Sequence, residues 1–297
     1  MAFMNQKGGV GKTTTVVNLA AALAELGKST LIIDMDPQAH ATLHLGVEID
    51  EDHLSVYDLL LSAETDPVDA RRAVVKTREN LGVIPAVTDQ AAVETELANA
   101  PQRHLRLRNA IQPLLSEYEY VLIDCPPSLG LLTLNGLAAS REVVVPMQAH
   151  FLALQGVGKL LETVSLVARE INPKLRVSGV VLSMHEENTR LSKEIVADLE
   201  QFFKDSLQQD VPWKGARVLR PAIRRNIKLA ECPSFGQTIF EYARWCPGAM
   251  DYAQLAANIA TEWDRFLERR GLSGGPQQAV EPKPVEPSPA TAGERTT

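Results

Sequence analysis

Cysteine is scarce in this sequence: Cys125, Cys232 and Cys246 are the three present, odd in number and far apart. With no CxxC pair among them, a disulfide framework, a zinc site and an ordinary iron–sulfur ligand set are all disfavoured, and a reducing cytosol suits the chain. Excess positive charge is missing too. A formal net charge of −7 excludes a nucleic-acid binder that is basic over its whole surface, so any such contact has to come from a local patch. No apolar run approaches the roughly 20 residues that cross a bilayer. The opening MAFMNQK lacks the charged segment and long apolar stretch of a signal peptide. Together these absences predict a soluble cytoplasmic protein. Aromatic residues are few, at 5%, yet apolar residues make up 45% of 297, enough for a sizeable core.

What is present alternates. Short β-branched runs (STLIID at 29–34, LGVIPAV at 81–87, YEYVLID at 118–124, EVVVPM at 142–147 and RVSGVVLSM at 176–184) are separated by amphipathic stretches at 13–26, 102–117, 152–170 and 188–206. Continuous apolar strands between helices indicate an α/β fold: one doubly wound, mostly parallel sheet with helices on both faces, over residues 1–270. From 271 to 297 the chain has five prolines, four glycines and no aromatic residue, which predicts a disordered tail. The first strand has only MAFM before a glycine-rich loop, so either it is short or it begins upstream.

That loop, NQKGGVGKTTTVVNL at 5–19, has the parts of a phosphate-binding loop. Gly8, Gly9 and Gly11 let backbone N–H groups, with that of Val10, converge on an anion. A helix starting immediately afterwards adds its positive N-terminal end. Lys12 supplies charge for the β- and γ-phosphates, and Thr13 a hydroxyl for Mg²⁺, with Thr14 beside it. The plain pattern GxxxxGK[ST] would begin with glycine at position 6; here Gln6 and then Lys7 stand at the front edge.

The motifs KGGVGKTT, LIIDMDPQ, VLIDCPPSLGLLTLNGL and VVVPMQAHFLALQGV together resemble the deviant-Walker P-loop ATPases of the ParA/MinD group, and most of all the chromosomal ParA (Soj-type) branch. The resemblance runs over residues 3–265. It implies ATP and Mg²⁺ as cofactors and a slow ATPase. Lys7 would reach across a homodimer formed on ATP binding to the phosphates of the partner's ATP, so that Lys7, Lys12 and Asp36 carry the chemistry. By the same resemblance Asp36 orients the attacking water and Asp34 supports Thr13 and the Mg²⁺ shell, although either aspartate could instead cap a helix starting near Pro37. Asp124, closing YVLID, has the Walker B position for Mg²⁺. The segment 125–137 matches the family's second switch region. Cys125 reads as a small buried residue.

Residues 211–230 contain Lys214, Arg217, Arg220, Arg224, Arg225 and Lys228 and no acid. Such a local concentration suits phosphate-backbone contact, and it equally suits a solvated face paired with nearby carboxylates. The family binds double-stranded DNA nonspecifically as an ATP dimer. The resemblance therefore makes Arg190, Arg217, Arg220, Arg224, Arg225 and Lys228 the DNA candidates, and implies nucleoid association and a ParB-like stimulating partner. One departure stands out. Where the family has Ile-Pro-Arg-Asn this chain has IRRN at 223–226, so Arg224 replaces a proline near the adenine; Asn226 is still expected by the base. A MinD-like membrane cycle would need a C-terminal amphipathic helix, and the polar, proline-rich end argues against it. A ParA-like ATPase that positions a protein cargo has the same motifs and remains an alternative.

Overall fold

The computed structural model describes residues 1–50, 52–62, 68–150, 153–187 and 189–269. The tail expected at 271–297 lies outside the described residues. Two compact units are distinguished, Met1–Ala260 and Thr261–Thr297. In the described part of the second, the Trp263 and Phe266 rings stack 5.2 Å apart.

The first unit is built on a single eight-stranded sheet in the order β3-β4-β2-β5-β1-β6-β7-β8. The strands are β1 (Ala2–Phe3), β2 (Thr30–Asp34), β3 (Val75–Arg78), β4 (Leu81–Ile84), β5 (Tyr120–Asp124), β6 (Glu142–Met147), β7 (Arg176–Leu182) and β8 (Arg217–Leu219). All neighbours are parallel except β3 with β4, an antiparallel pair at one edge. β1 is two residues long and central, pairing with β5 on one side and β6 on the other.

The burial follows from the period of two along a strand. Leu31, Ile33, Ile123, Val143 and Val145 join the main core cluster with residues of the helices Leu131–Ala139, Ala153–Glu170 and Arg190–Asp205. The alternate residues Phe3, Ile32, Leu122 and Val144 are buried outside that cluster. On this opposite side α1 (Lys12–Glu25) packs on β2, β5 and β6 through a nearly all-buried sequence. Each such fully buried Leu, Ile or Phe contributes about 1.5–3 kcal/mol. The central strands β1, β2, β4, β5 and β6 are therefore largely dry on both faces.

Strand register is what assembles the site. Asp34 pairs with Asp124, and Phe3 with Asp124, so the loops leaving β1, β2 and β5 emerge side by side. This is the carboxyl edge of an open parallel sheet, where such folds bind ligands.

Candidate phosphate site

The loop between β1 and α1 turns on glycine. Gly9 and Gly11 have φ of +72° and +78°, a left-handed conformation that costs any other L-residue. At Gly11 a side chain would also meet Ser183 Cβ at 3.3 Å. Gly11 is the N-cap of α1, and no side chain caps the helix there. The first-turn N–H groups and the positive end of the helix dipole thus face the loop without an acidic residue in that turn.

Lys12 lies beneath this loop, buried. Its Nζ donates to Asp124 Oδ1 at 2.8 Å and stands 4.0 Å from Asp36 Oδ2. Burial alone would lower the Lys12 pKa; the charge and hydrogen bond of Asp124, with Asp36 behind, outweigh it and raise it, so Lys12 is an ammonium. Thr13 Oγ1 donates to the other Asp124 oxygen at 2.7 Å. Asp124 therefore joins the lysine and the hydroxyl through one carboxylate. Asp36 accepts from the Gln38 amide at 3.1 Å and donates its own amide to Asp34 Oδ1 at 3.2 Å.

Asp34 is deeper still. Its second oxygen accepts both the amide and the hydroxyl of Thr42, at 2.9 and 2.8 Å. Burial pushes Asp34 up to about 7, and the Asp124 carboxylate adds to the rise. Among the described contacts of Asp34 none goes to Thr13; its hydrogen bonds order the turn that carries Asp36.

Lys7 stands at the exposed front of the loop, with its amide on Asn5 Oδ1 at 3.0 Å. Its Nζ is 2.7 Å from His150 Nε2. An ammonium has no lone pair, so the imidazole nitrogen is the acceptor. Two further residues hold the loop from neighbouring strands. Gln148, after β6, donates to Gly9 O at 3.1 Å, and Ser183, after β7, donates to Val10 O. Neither was singled out from sequence; the signal available was position, one residue beyond the ends of β6, which pairs with β1, and of β7, the next strand along.

The donor set fits a nucleotide triphosphate with a hard divalent cation. Uncapped amides, the Lys12 ammonium and a hydroxyl–carboxylate pair converge there, with Lys7 at the exposed front of the loop. Among the described residues no group of three or more His, Cys, Asp or Glu is arranged to hold a metal alone. That suits Mg²⁺, which takes few protein oxygens and completes its shell with phosphate and water. Thr13 and Asp124 would hold it. The cysteines are free and buried, and burial pushes the Cys125 and Cys232 thiols up to about 12, so neither serves as a nucleophile.

Carboxylates face most of the basic candidates. Arg190 pairs with Glu194 at 2.8 Å, Arg220 with Glu200 at 2.7 Å, Arg225 with Glu186 at 3.0 Å and Lys228 with Glu231 at 2.7 Å. Arg217 begins β8 and is exposed. Arg224 differs: both its Nε and its terminal nitrogen bond Asp251, the shortest at 2.7 Å, and Asp251 is only 7% exposed. The Arg224 amide, which a proline would lack, donates to the same carboxylate at 3.0 Å. Asn226 is the N-cap of the helix Ile227–Glu231 and accepts the Lys228 amide at 2.9 Å. Among the described residues no helix is long and apolar enough to cross a membrane.

The chain has clear relatives among known proteins. A family model described as an AAA domain matches residues 1–177. The sporulation initiation inhibitor protein Soj of Bacillus subtilis is 42% identical over 260 residues, covering 88% of this chain and 97% of that protein. The chromosome partitioning protein ParA of Myxococcus xanthus is 40% identical, with 86% and 85% covered. Among solved structures, a protein described as cobyrinic acid a,c-diamide synthase from Mycobacterium smegmatis, with bound ATP analogue and magnesium, superposes with a TM-score of 0.72 at 35% identity, covering 89% of this chain and 94% of that one. The chain belongs to the ParA/Soj family of chromosome-partitioning P-loop ATPases.

Proposed function

We propose that this chain hydrolyses ATP slowly as a partition switch: with ATP and Mg²⁺ it forms a homodimer that binds double-stranded DNA nonspecifically, and a ParB-like partner stimulates its release. One observation carries the reading. A single buried carboxylate, Asp124, gathers Lys12 and Thr13 under an uncapped helix start, with Asp36 4.0 Å from the lysine and Lys7 at the exposed rim.

In this reading Lys12 and the loop amides hold the β- and γ-phosphates, and Asp36 orients the attacking water. Thr13 and Asp124 would hold Mg²⁺, which would supply charge neutralisation to the phosphates. Lys7, exposed at the front of the loop, is available to a phosphate presented by a second copy, the role that the family resemblance gives it. Phosphoryl transfer depends on positioning and charge neutralisation, so a site that gains its last cation only in the dimer is slow until assembled. The activity named for the 35% identical solved structure is not carried over, because the relatives with partitioning names are the more similar in sequence.

The test is binding to nonspecific duplex DNA with ATP, ADP or no nucleotide across a salt series, for the native protein, Lys7→Ala and Arg220→Ala/Arg225→Ala. ATP-dependent binding that weakens steeply with salt and is lost without Lys7 supports the proposal. Indifference to DNA in every nucleotide state overturns it, and binding to anionic vesicles with ATP would point to a membrane-cycling relative instead.

A further inference from the structure

We infer that Glu94 is a positioning residue for the segment 125–130, holding the chain that leaves Asp124 in the geometry that hydrolysis needs. The inference rests on the ATPase reading above and extends it to a residue on a different surface element.

The helix Leu131–Ala139 has Gly130 as its N-cap, which has no side chain to satisfy the helix amides. Glu94 does so from the helix Val93–Glu96: its Oε1 accepts the Leu131 amide at 2.7 Å. A carboxylate at a helix N-terminus is favoured by the hydrogen bond and the helix dipole together. Glu94 itself is exposed, but Val93 and Leu97 on either side are buried in the core, so its backbone is fixed.

Gly130 reports how closely the two elements fit. Its φ of −81° is open to any residue, so backbone conformation does not demand glycine. Space does: a Cβ there would lie 1.7 Å from Glu94 Oε1. The carboxylate occupies the volume that a side chain at 130 would take.

From Leu131 the coupling runs back to the phosphate site through packed atoms. Thr133 Oγ1 donates to Ser128 O at 2.6 Å, fastening the segment to the helix's first turn. Gly136 lies against Cys125, close enough that a Cβ would meet Sγ at 2.8 Å. Cys125 follows Asp124, the residue that holds Lys12 and Thr13. A helix start freed from Glu94 therefore loosens 125–130 on the side that joins Asp124.

The experiment compares the native protein with Glu94→Ala, Glu94→Gln, Gly130→Ala and the double Glu94→Ala/Gly130→Ala. Steady-state ATP hydrolysis and hydrogen exchange at Leu131–Thr133 are measured on the full chain. Loss of one hydrogen bond to a charged acceptor shifts a local equilibrium by about tenfold. Glu94→Ala is expected to lower kcat about tenfold with KM for ATP within twofold of native, and to speed exchange at Leu131 by a similar factor. Glu94→Gln, which keeps an acceptor, restores most of both. Gly130→Ala reproduces Glu94→Ala by displacing the carboxylate, and the double variant is no worse than either single, since both break the same contact. Additive losses, equal changes in kcat and KM, or native behaviour in Glu94→Ala would overturn the inference. Should the native protein fail to hydrolyse ATP, the proposed function falls; exchange still decides on Glu94, with unchanged protection in Glu94→Ala and Gly130→Ala refuting its hold.

Discussion

Arg224→Ala separates a structural from a DNA-binding role for the most basic part of the chain. The Arg224 side chain is 51% exposed and its partner Asp251 only 7%. Removing one member of a buried ion pair typically costs roughly 3–5 kcal/mol, because the remaining charge is stranded. Two features reduce that here: water reaches half of the guanidinium, and Asp251 keeps the bond from the residue 224 amide. We expect a loss of about 2 kcal/mol, which for a domain of this size lowers Tm by roughly 4–8 °C. Urea unfolding should show a lower midpoint with an unchanged slope. Arg224→Ala/Asp251→Ala should recover much of the loss, because no uncompensated charge is left. ATP-dependent DNA affinity, measured well below Tm, should stay within about twofold of native for Arg224→Ala. Arg220→Ala and Arg225→Ala, whose glutamate partners are more than half exposed, should each weaken binding and reduce the salt slope by about one. An Arg224→Ala protein of native stability that no longer binds DNA would refute this reasoning.

Lys12→Met should abolish ATP binding in a titration with fluorescent nucleotide, and it should also destabilise the nucleotide-free protein by about 3 kcal/mol, since Asp124 is fully buried and would lose its cation. Gly11→Ala, at φ +78° and with Ser183 in the way, should weaken ATP binding at least tenfold and cost about 1–2 kcal/mol in chemical unfolding. His44 gives a pH signature. Burial, with Arg78 nearby, lowers its pKa from 6.5 to about 4, so between those values the unfolded chain binds the extra proton and stability falls as pH drops. The penalty should reach about 2 kcal/mol at pH 5. A His44→Gln variant should have a flatter acid limb in Tm against pH, and an unchanged slope would count against the assignment.

The clustering of Lys12, Thr13, Asp36 and Asp124 was legible because the motif's spacing is rigid. A glycine loop, a lysine and a threonine must be contiguous to work, and Asp34 and Asp124 end runs of buried β-branched residues. Five expected strands match β2, β4, β5, β6 and β7 to within three residues at either end. The edges were not visible. β3 reads as VKTR and β8 as RVL, strands that owe their existence to pairing with β4 and β7 rather than to their own composition. The helix expected over 102–117 is broken into a 3₁₀ turn, a short α-helix and a second 3₁₀ turn that contains Pro113. Residues that work through contacts distant in sequence escaped as well: His150 against Lys7 and Glu94 against Leu131 come from positions 143 and 37 residues away. Arg224 was seen as a departure from the family motif, but its charge pointed outward to DNA, and only the fold brings Asp251 to it.

The bond between Lys12 and Asp124 makes the protein a competitor for its own ligand. Any anion that engages Lys12 Nζ has to share it with, or take it from, a carboxylate already 2.8 Å away. The affinity measured for nucleotide is then an exchange equilibrium, lower than the lysine's intrinsic affinity by the factor with which Asp124 occupies it. Weak anions such as free phosphate lose that exchange. A ligand that offers several phosphate oxygens together with a cation for Asp124 wins it, because the carboxylate is given a new partner at the moment it gives up the old one. Selectivity against single phosphates would in this way be set by the side chain that the proposed function gives to the metal.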